Sequence, residues 1–170
     1  ASRDTLTGTK SWTINDSGID SDCIAPTVTN VTSTKANGSY KAGTLIPITV
    51  TFSEAVNVTG TPQITLETGS SDAVVDYSSG TTTNTLTFNY TVAAGHDSSD
   101  LDYVDINALV LNSGTIKDAA TNDATLTLVS PGNANSLGAN KTLVIDTTIP
   151  EITLAGIATV DIEVGSTYTD

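Results

Sequence analysis

Acidic side chains are the residues of this sequence whose type and spacing are best suited to chemistry. The 170-residue chain carries 19 Asp and Glu against 6 Lys and Arg, which gives a formal net charge of −13. Calcium takes roughly six to eight oxygen ligands from carboxylates, backbone carbonyls and amide side chains. Without a cation, crowded carboxylates would repel one another. We therefore expect Ca²⁺ as a cofactor, with the candidate ligands Glu54, Asp100, Asp102, Asp118, Asn122, Asp123, Asp22 and Asp146.

The candidate ligands occupy loop positions at the ends of predicted strands. Glu54 directly follows one strand, and residues 118–123 form a short acidic loop. Asp100 and Asp102 are spaced i, i+2, so that in a loop both can turn towards one ion. None of these segments matches the EF-hand loop. In the alternative interpretation, Asp102 and Asp118 only form turns, with side chains that cap backbone N–H groups.

Catalytic chemistry finds little support in the sequence. His96 is the only histidine, so a multi-histidine zinc centre cannot be built. A Ser-His-Asp triad would need His96, but no Gly-x-Ser-x-Gly elbow accompanies it. The paired carboxylates of a glycosidase would need a cleft lined by aromatic side chains. The chain has few of these, with one Trp, two Phe and five Tyr. We expect no enzyme, no catalytic residues and no bound organic cofactor.

Charge, hydropathy and cysteine content limit the partners and the compartment. A polyanion repels nucleic acid and anionic lipid, so neither is an expected partner. No run of about 18 apolar residues is present, and residues 1–10 lack the basic start and apolar stretch of a signal peptide. Cys23 is the only cysteine, so core packing, and not an internal disulfide, must supply the stability.

Alternating strands must position these loops. Residues 45–52 place Ile46, Ile48, Val50 and Phe52 on one face, and residues 84–92 point Leu86, Phe88, Tyr90 and Val92 inward. Further strands are predicted at 27–33, 63–67, 73–77, 108–111, 125–129 and 141–146. Turn clusters separate them at 37–39, 59–62, 78–80, 112–114 and 130–132. The pattern predicts an all-β fold, an antiparallel Ig-like β-sandwich of about 7–9 strands.

A repeated element indicates the domain boundaries. Residues 22–26 and 146–150 both read Asp-x-x-x-Pro, and a β-prone run follows each. An extended linker that contains proline limits the flexibility between modules. We therefore predict a sandwich domain at 26–147, the end of a preceding module or linker at 1–25, and the beginning of a following Ig-like module at 148–170.

Five ordered motifs lie within residues 26–147. They are ITVTFSEAV at 48–56, PQITLETG at 62–69, LTFNYTV at 86–92, DLDY at 100–103 and SLGANK at 136–141. Together they resemble the Ig-like/cadherin-like repeat of very large bacterial surface and secreted proteins, including repeats-in-toxin adhesins. The resemblance implies an extracellular protein, at the cell surface or secreted, with calcium held between modules near Asp22 and Asp146. The tail, from Pro150 to Asp170, resembles the start of a second bacterial surface Ig-like domain.

The sequence departs from that family at two places. Such repeats often carry Asp-Ala-Ala-Gly-Asn, where this chain has Thr121 in the glycine position. Because glycine adopts left-handed backbone conformations most easily, this replacement leaves a tight turn there open to question. The first linker has Cys23 and Ile24 where two threonines are common.

The predicted function is a structural spacer or adhesion repeat of a large extracellular bacterial protein. Its partners would be neighbouring Ig-like modules of the same chain or of identical subunits. One alternative is a filament subunit that assembles by β-strand addition through the terminal segments 10–14, 151–154 and 160–164. A second alternative is a glycan-binding module, which would need an exposed aromatic platform that the sequence does not indicate.

Overall fold

The computed structural model describes residues 24–152, and almost all regular structure there is β-strand. Ten strands and one helical turn follow in the order β1 Val28–Ser33, β2 Gly38–Tyr40, β3 Leu45–Thr59, β4 Gln63–Leu66, β5 Ala73–Ser79, β6 Thr83–Thr91, β7 Asp97–Ser98, β8 Leu109–Val110, β9 Thr115–Lys117, α1 Leu137–Asn140 and β10 Leu143–Asp146.

A seven-stranded antiparallel sheet carries most of the fold. Its order is β1-β3-β6-β5-β4-β8, and β9 pairs with the last residues of β3. The register of β3 against β6 shifts between Thr51 and Val56, and such an irregularity bends a strand and increases its twist. A second sheet has the order β2-β10-β7, with β10 parallel to β2 and antiparallel to β7. The predicted all-β, sandwich-like class is therefore confirmed.

The core is built by the alternation along β3 and β6. All eight positions predicted to point inward on these two segments are buried: Ile46, Ile48, Val50, Phe52, Leu86, Phe88, Tyr90 and Val92. Ile48 lies opposite Phe88 and Val50 opposite Leu86 across the ladder. Burying each large apolar side chain contributes about 1.5–3 kcal/mol, so this strand pair is the most strongly stabilised part of the domain.

Two features of the sequence-based strand assignment are wrong. Residues 125–129 form only a single bridge, between Thr125 and Thr27, and no strand. Leu128 is nevertheless buried there, and its N–H donates to the Ile106 carbonyl at 2.9 Å. Conversely, the short strands β2, β7 and β9 were not predicted, because two or three residues carry too little alternation to be recognised.

The SLGANK segment, with Asn135 before it, covers the outer edge of β1 at Val31. Ser136 caps α1 by accepting a hydrogen bond from the Ala139 N–H at 3.2 Å. The Val31 N–H donates to the Asn135 carbonyl at 2.9 Å, and Asn140 Nδ2 donates to the Val31 carbonyl at 2.8 Å. Both outward backbone groups of Val31 are therefore satisfied, so the β1 edge cannot pair with another chain at this residue.

Candidate functional site

The two linkers are anchored by different loops of the domain. Where the chain enters, the Thr27 N–H donates to Ser53 Oγ at 3.1 Å and the Ser53 N–H donates to the Thr27 carbonyl at 2.8 Å. We call this end the entry pole. Where the chain leaves, Thr147 Oγ1 donates to the His96 carbonyl at 2.9 Å and accepts from the Gly95 N–H at 3.0 Å. We call this end the exit pole.

The two poles lie at opposite ends of the sandwich. Val28, just after the entry pole, pairs with Phe52, whereas Leu45 pairs with Thr91, just before the exit-pole loop. From Leu45 to Phe52 the strand β3 advances seven residues, which is roughly 23 Å. β10 runs parallel to β2 and delivers the chain to the exit pole. The chain therefore joins the described domain at two opposite ends.

Two carboxylates face each other at the exit pole. Asp146 of β10 is the direct cross-strand partner of Asp97 of β7, and both residues are exposed. Directly opposite residues of an antiparallel pair present their side chains on the same face, where like charges repel. Asp146 Oδ1 also accepts the Thr148 N–H at 2.9 Å. Sequence reasoning selected Asp146 but missed Asp97, because only the strand register brings the two together.

The Asp118 loop forms a tight turn. Asp118 is nearly fully buried, and its Oδ1 and Oδ2 accept hydrogen bonds from the backbone N–H and the side-chain Nδ2 of Asn122, both at 2.7 Å. Thr121 has a φ of 74°, so the left-handed turn is made even with threonine in the glycine position. Asp123 Oδ1 lies 2.6 Å from Lys117 Nζ. The structure thus brings Asp118 and Asn122 together and turns Asp123 towards a lysine.

Thr121→Gly should stabilise the protein by about 1 kcal/mol. A β-branched residue in the left-handed region carries a steric cost of about 1–2 kcal/mol that glycine lacks, offset in part by the greater backbone entropy of glycine in the unfolded chain. Urea denaturation at equilibrium measures the difference. Thr127→Gly, at an exposed position without positive φ, is the control and should not stabilise. An unchanged or lowered midpoint for Thr121→Gly would contradict a strained turn.

The other predicted ligands are distributed over the domain. Asp102 Oδ1 accepts the Tyr103 N–H at 2.9 Å and its Oδ2 accepts the Gly132 N–H at 3.0 Å, which ties two loops together. Asp100 is exposed and Glu54 is half-buried. Asp22 lies outside the described residues. Within residues 24–152, no three His, Cys, Asp or Glu side chains form a group that could hold a metal ion by themselves.

His96 is hydrogen-bonded to a buried tyrosine. Its Nδ1 lies 2.8 Å from the Tyr90 hydroxyl and accepts the Ala93 N–H at 3.3 Å, and the two rings stack at a centroid distance of 5.8 Å. Burial raises the pKa of Tyr90 to about 12, so that hydroxyl stays protonated at neutral pH. Among residues 24–152, no Ser or Asp side chain hydrogen-bonds the His96 ring.

Comparisons with known proteins identify no relative. No protein-family model matches the chain, and no curated protein and no solved structure matches it either. No helix in the described part of the chain is long and apolar enough to cross a membrane. The fold and its two poles define an all-β, sandwich-like domain whose linkers leave from opposite ends.

Proposed function

We propose that this chain is a structural spacer repeat of a large extracellular bacterial surface protein, of the Ig-like or cadherin-like kind that its motifs resemble. The separation of the entry and exit poles is the observation that supports this proposal. Modules joined at opposite ends stack into an extended array, and each adds its own length to the reach of the array. A domain with both linkers at one end would fold the array back on itself.

The strand directions suit a domain that carries tension. The long strands β3 and β6 run between the two poles, and β1 pairs with β3 from the entry pole as far as Ile48. Their ladder hydrogen bonds lie perpendicular to the strands. A force between the poles therefore loads many hydrogen bonds of the β1–β3 ladder together, in shear. The buried β3–β6 pair beside this ladder resists the same force through its core packing.

Calcium at the exit pole is part of the proposed function. Asp97 and Asp146 repel each other as opposed carboxylates, and a divalent cation between them would turn that repulsion into attraction. Two carboxylates supply fewer than the roughly six to eight oxygens that calcium prefers. Backbone carbonyls, water and a carboxylate of an adjoining module would complete the shell, so bound calcium would stiffen the junction.

Adding millimolar calcium to the metal-stripped chain should raise the Tm by several degrees. A cation that binds only the folded state stabilises it by about 2.7 kcal/mol when its free concentration is about 100 times its Kd. Differential scanning calorimetry with and without calcium measures the shift. An unchanged Tm at millimolar calcium would remove calcium from the proposal and leave the spacer function standing.

Two substitutions locate the calcium effect. Asp97→Asn and Asp146→Asn should each abolish most of the Tm shift, and without metal each should be more stable than the original chain by up to about 1 kcal/mol, because the repulsion is gone. Asp105→Asn, in an exposed turn of similar chemistry, should retain the shift. A full shift in both pole variants would place calcium elsewhere, at the predicted loop ligands.

The filament alternative differs from the spacer in its state of association. The cover of SLGANK over the β1 edge favours the spacer, because that edge has no free groups at Val31 to accept another strand. We expect the 170-residue chain to elute as a monomer in size-exclusion chromatography with light scattering. Long polymers, seen by negative-stain electron microscopy, would instead support assembly by β-strand addition.

A further inference from the structure

The large sheet opens between β5 and β6. These strands share only two Cα pairs, Tyr77 with Phe88 and Ser79 with Thr87. Beyond them, residues 73–76 pair only with β4, and residues 89–91 pair only with β3. A cavity of about 500 Å³ lies between the two strand segments and is lined by both. This volume is within the roughly 300–1,000 Å³ that is typical of small-ligand pockets. We call it the β5–β6 opening.

Backbone groups of both strands face the opening. The Tyr77 N–H donates to the Pro62 carbonyl on the β4 side at 2.8 Å. Because alternate residues of a strand turn their backbone groups to opposite sides, Val74 and Asp76 turn theirs towards β6. On the other strand, the Val92 N–H donates to the Thr44 carbonyl on the β3 side. By the same alternation, Asn89 and Thr91 turn their backbone groups towards β5. The Tyr77–Phe88 pair engages the Asn89 N–H with the Asp76 carbonyl. The rim therefore consists of the groups beyond that bond, namely those of Val74 and Thr91, the Asp76 N–H and the Asn89 carbonyl, which no strand pairing satisfies.

The opening is closed at both ends. At one end stands the Tyr77–Phe88 pair, whose rings meet edge to face at 6.1 Å. At the other end the Asp97 N–H donates to the Thr68 carbonyl at 3.0 Å and joins the loop before β5 to the start of β7. The four residues between these ends span about 13 Å. An extended peptide would run past either end, so the closed outline favours a compact ligand.

Side chains add specific hydrogen-bonding groups around the opening. Asp76 Oδ1 accepts from Gln63 Nε2 at 2.8 Å, which orients the carboxylate and leaves Oδ2 as an acceptor. Asn89 Nδ2 donates to Ser78 Oγ at 2.8 Å. Nδ1 of His96 accepts a backbone N–H, which can only donate, so the proton of the neutral ring is on Nε2. His96 thus offers a donor, whereas Asp76 offers an acceptor.

We propose that the β5–β6 opening binds a neutral saccharide. A sugar ring carries hydroxyl groups that both donate and accept, and it can therefore satisfy the mixed backbone rim and the Asp76, Asn89 and His96 side chains together. Half-buried Tyr77, which lines the same opening, provides an apolar surface for the C–H face of the ring. Asp76 and the net charge of −13 disfavour an anionic sugar. This site is independent of the spacer function and of the calcium at the exit pole.

The test is a titration of the ¹⁵N-labelled 170-residue chain, followed by two-dimensional NMR. The probes are methyl glucoside, methyl galactoside, methyl mannoside and N-acetylglucosamine, with glucuronate as the anionic comparison and a short threonine–valine peptide as the extended one. At least one neutral sugar should give saturable amide shifts in the millimolar range. The shifts should be confined to residues around the opening, above all Val74, Asp76, Asn89 and Thr91.

Matched variants test whether those amide shifts come from binding at the β5–β6 opening. Asp76→Asn and Asn89→Ala should each weaken the binding by about tenfold, the expected loss for one hydrogen bond to a polar ligand. Asp105→Asn, far along the chain and exposed, should bind like the original chain. The proposal is overturned if no neutral sugar gives saturable shifts, if only the peptide or glucuronate does, or if neither Asp76→Asn nor Asn89→Ala weakens the binding.

Discussion

Gly80→Ala should destabilise the domain by about 2–5 kcal/mol, among the largest effects that a single methyl group can have here. Gly80 has a φ of 111°, and a Cβ atom at this position would lie 2.1 Å from the backbone oxygen of Thr85. The left-handed strain contributes about 1–2 kcal/mol and the forced displacement of backbone about 1–3 kcal/mol. Because the residue closes the β5–β6 hairpin, relief of the clash must move strands that support the core.

Gly95→Ala separates the two contributions. Gly95 also has positive φ, at 88°, but a Cβ there meets no atom within 4 Å. This variant should therefore show the backbone strain alone, about 1–2 kcal/mol. Equilibrium denaturation in guanidinium chloride measures both variants. Equal losses for Gly80→Ala and Gly95→Ala would show that the hairpin accommodates the methyl group, contrary to the close approach of Gly80 and Thr85.

The second large effect is a steep loss of stability above pH 10. Burial raises the pKa of Tyr90 from 10.0 to about 12. Burial also raises the pKa of Tyr103, and the neighbouring Asp102 carboxylate raises it further. Both tyrosines lose their protons more readily in the unfolded chain. The stabilisation that these two raised pKa values give to the folded state is therefore fully present below pH 10. It is lost as the pH rises from 10 towards the folded-state pKa. The free energy of unfolding falls by up to about 1.4 kcal/mol per pH unit for each tyrosine.

Phenylalanine substitutions test whether Tyr90 and Tyr103 cause this loss of stability at alkaline pH. Tyr103→Phe and Tyr90→Phe should each flatten the fall of unfolding free energy between pH 10 and about 12. At neutral pH Tyr103→Phe should be less stable by about 1 kcal/mol, because its hydroxyl donates to the Val129 carbonyl. Tyr40→Phe removes a hydroxyl at a half-buried position and serves as the control. A slope that is unchanged in the Tyr90→Phe, Tyr103→Phe double variant would assign the alkaline loss to other groups.

The fold could be predicted from the sequence where apolar and polar residues alternate over a segment long enough to form a strand. Residues 45–52 and 84–92 place every second side chain in the core, and both segments are strands in the structure. Residues 125–129 show the same alternation, and Leu128 is buried, but the segment forms no ladder. Alternation of apolar and polar residues indicates which side chains are buried. It does not indicate whether the backbone of the segment pairs with a neighbouring strand.

The candidate sites depend on contacts between distant parts of the chain. Asp97 and Asp146 meet only because β7 and β10 pair in one particular register. The β5–β6 opening exists because two strands separate after two pairs, which no local pattern indicates. Within the short loop that contains Thr121, the missing glycine put a tight turn in question, yet the structure makes the left-handed turn with threonine. The residue type at one position therefore did not decide the turn, and no local pattern reports register or strand separation.

The cover over the β1 edge has a consequence for the synthesis of the domain. The strand that it protects begins at Val28, but the covering residues, up to Asn140, are made more than a hundred positions later. While a ribosome is still making β3 to β9, the β1 edge of the nascent domain is open. If the chain is a repeat, as proposed, a finished neighbouring copy has no free backbone groups at its own Val31 with which that open edge could pair. Completion of each module would then remove one route to mispairing between neighbours, which is the characteristic failure of tandem repeats.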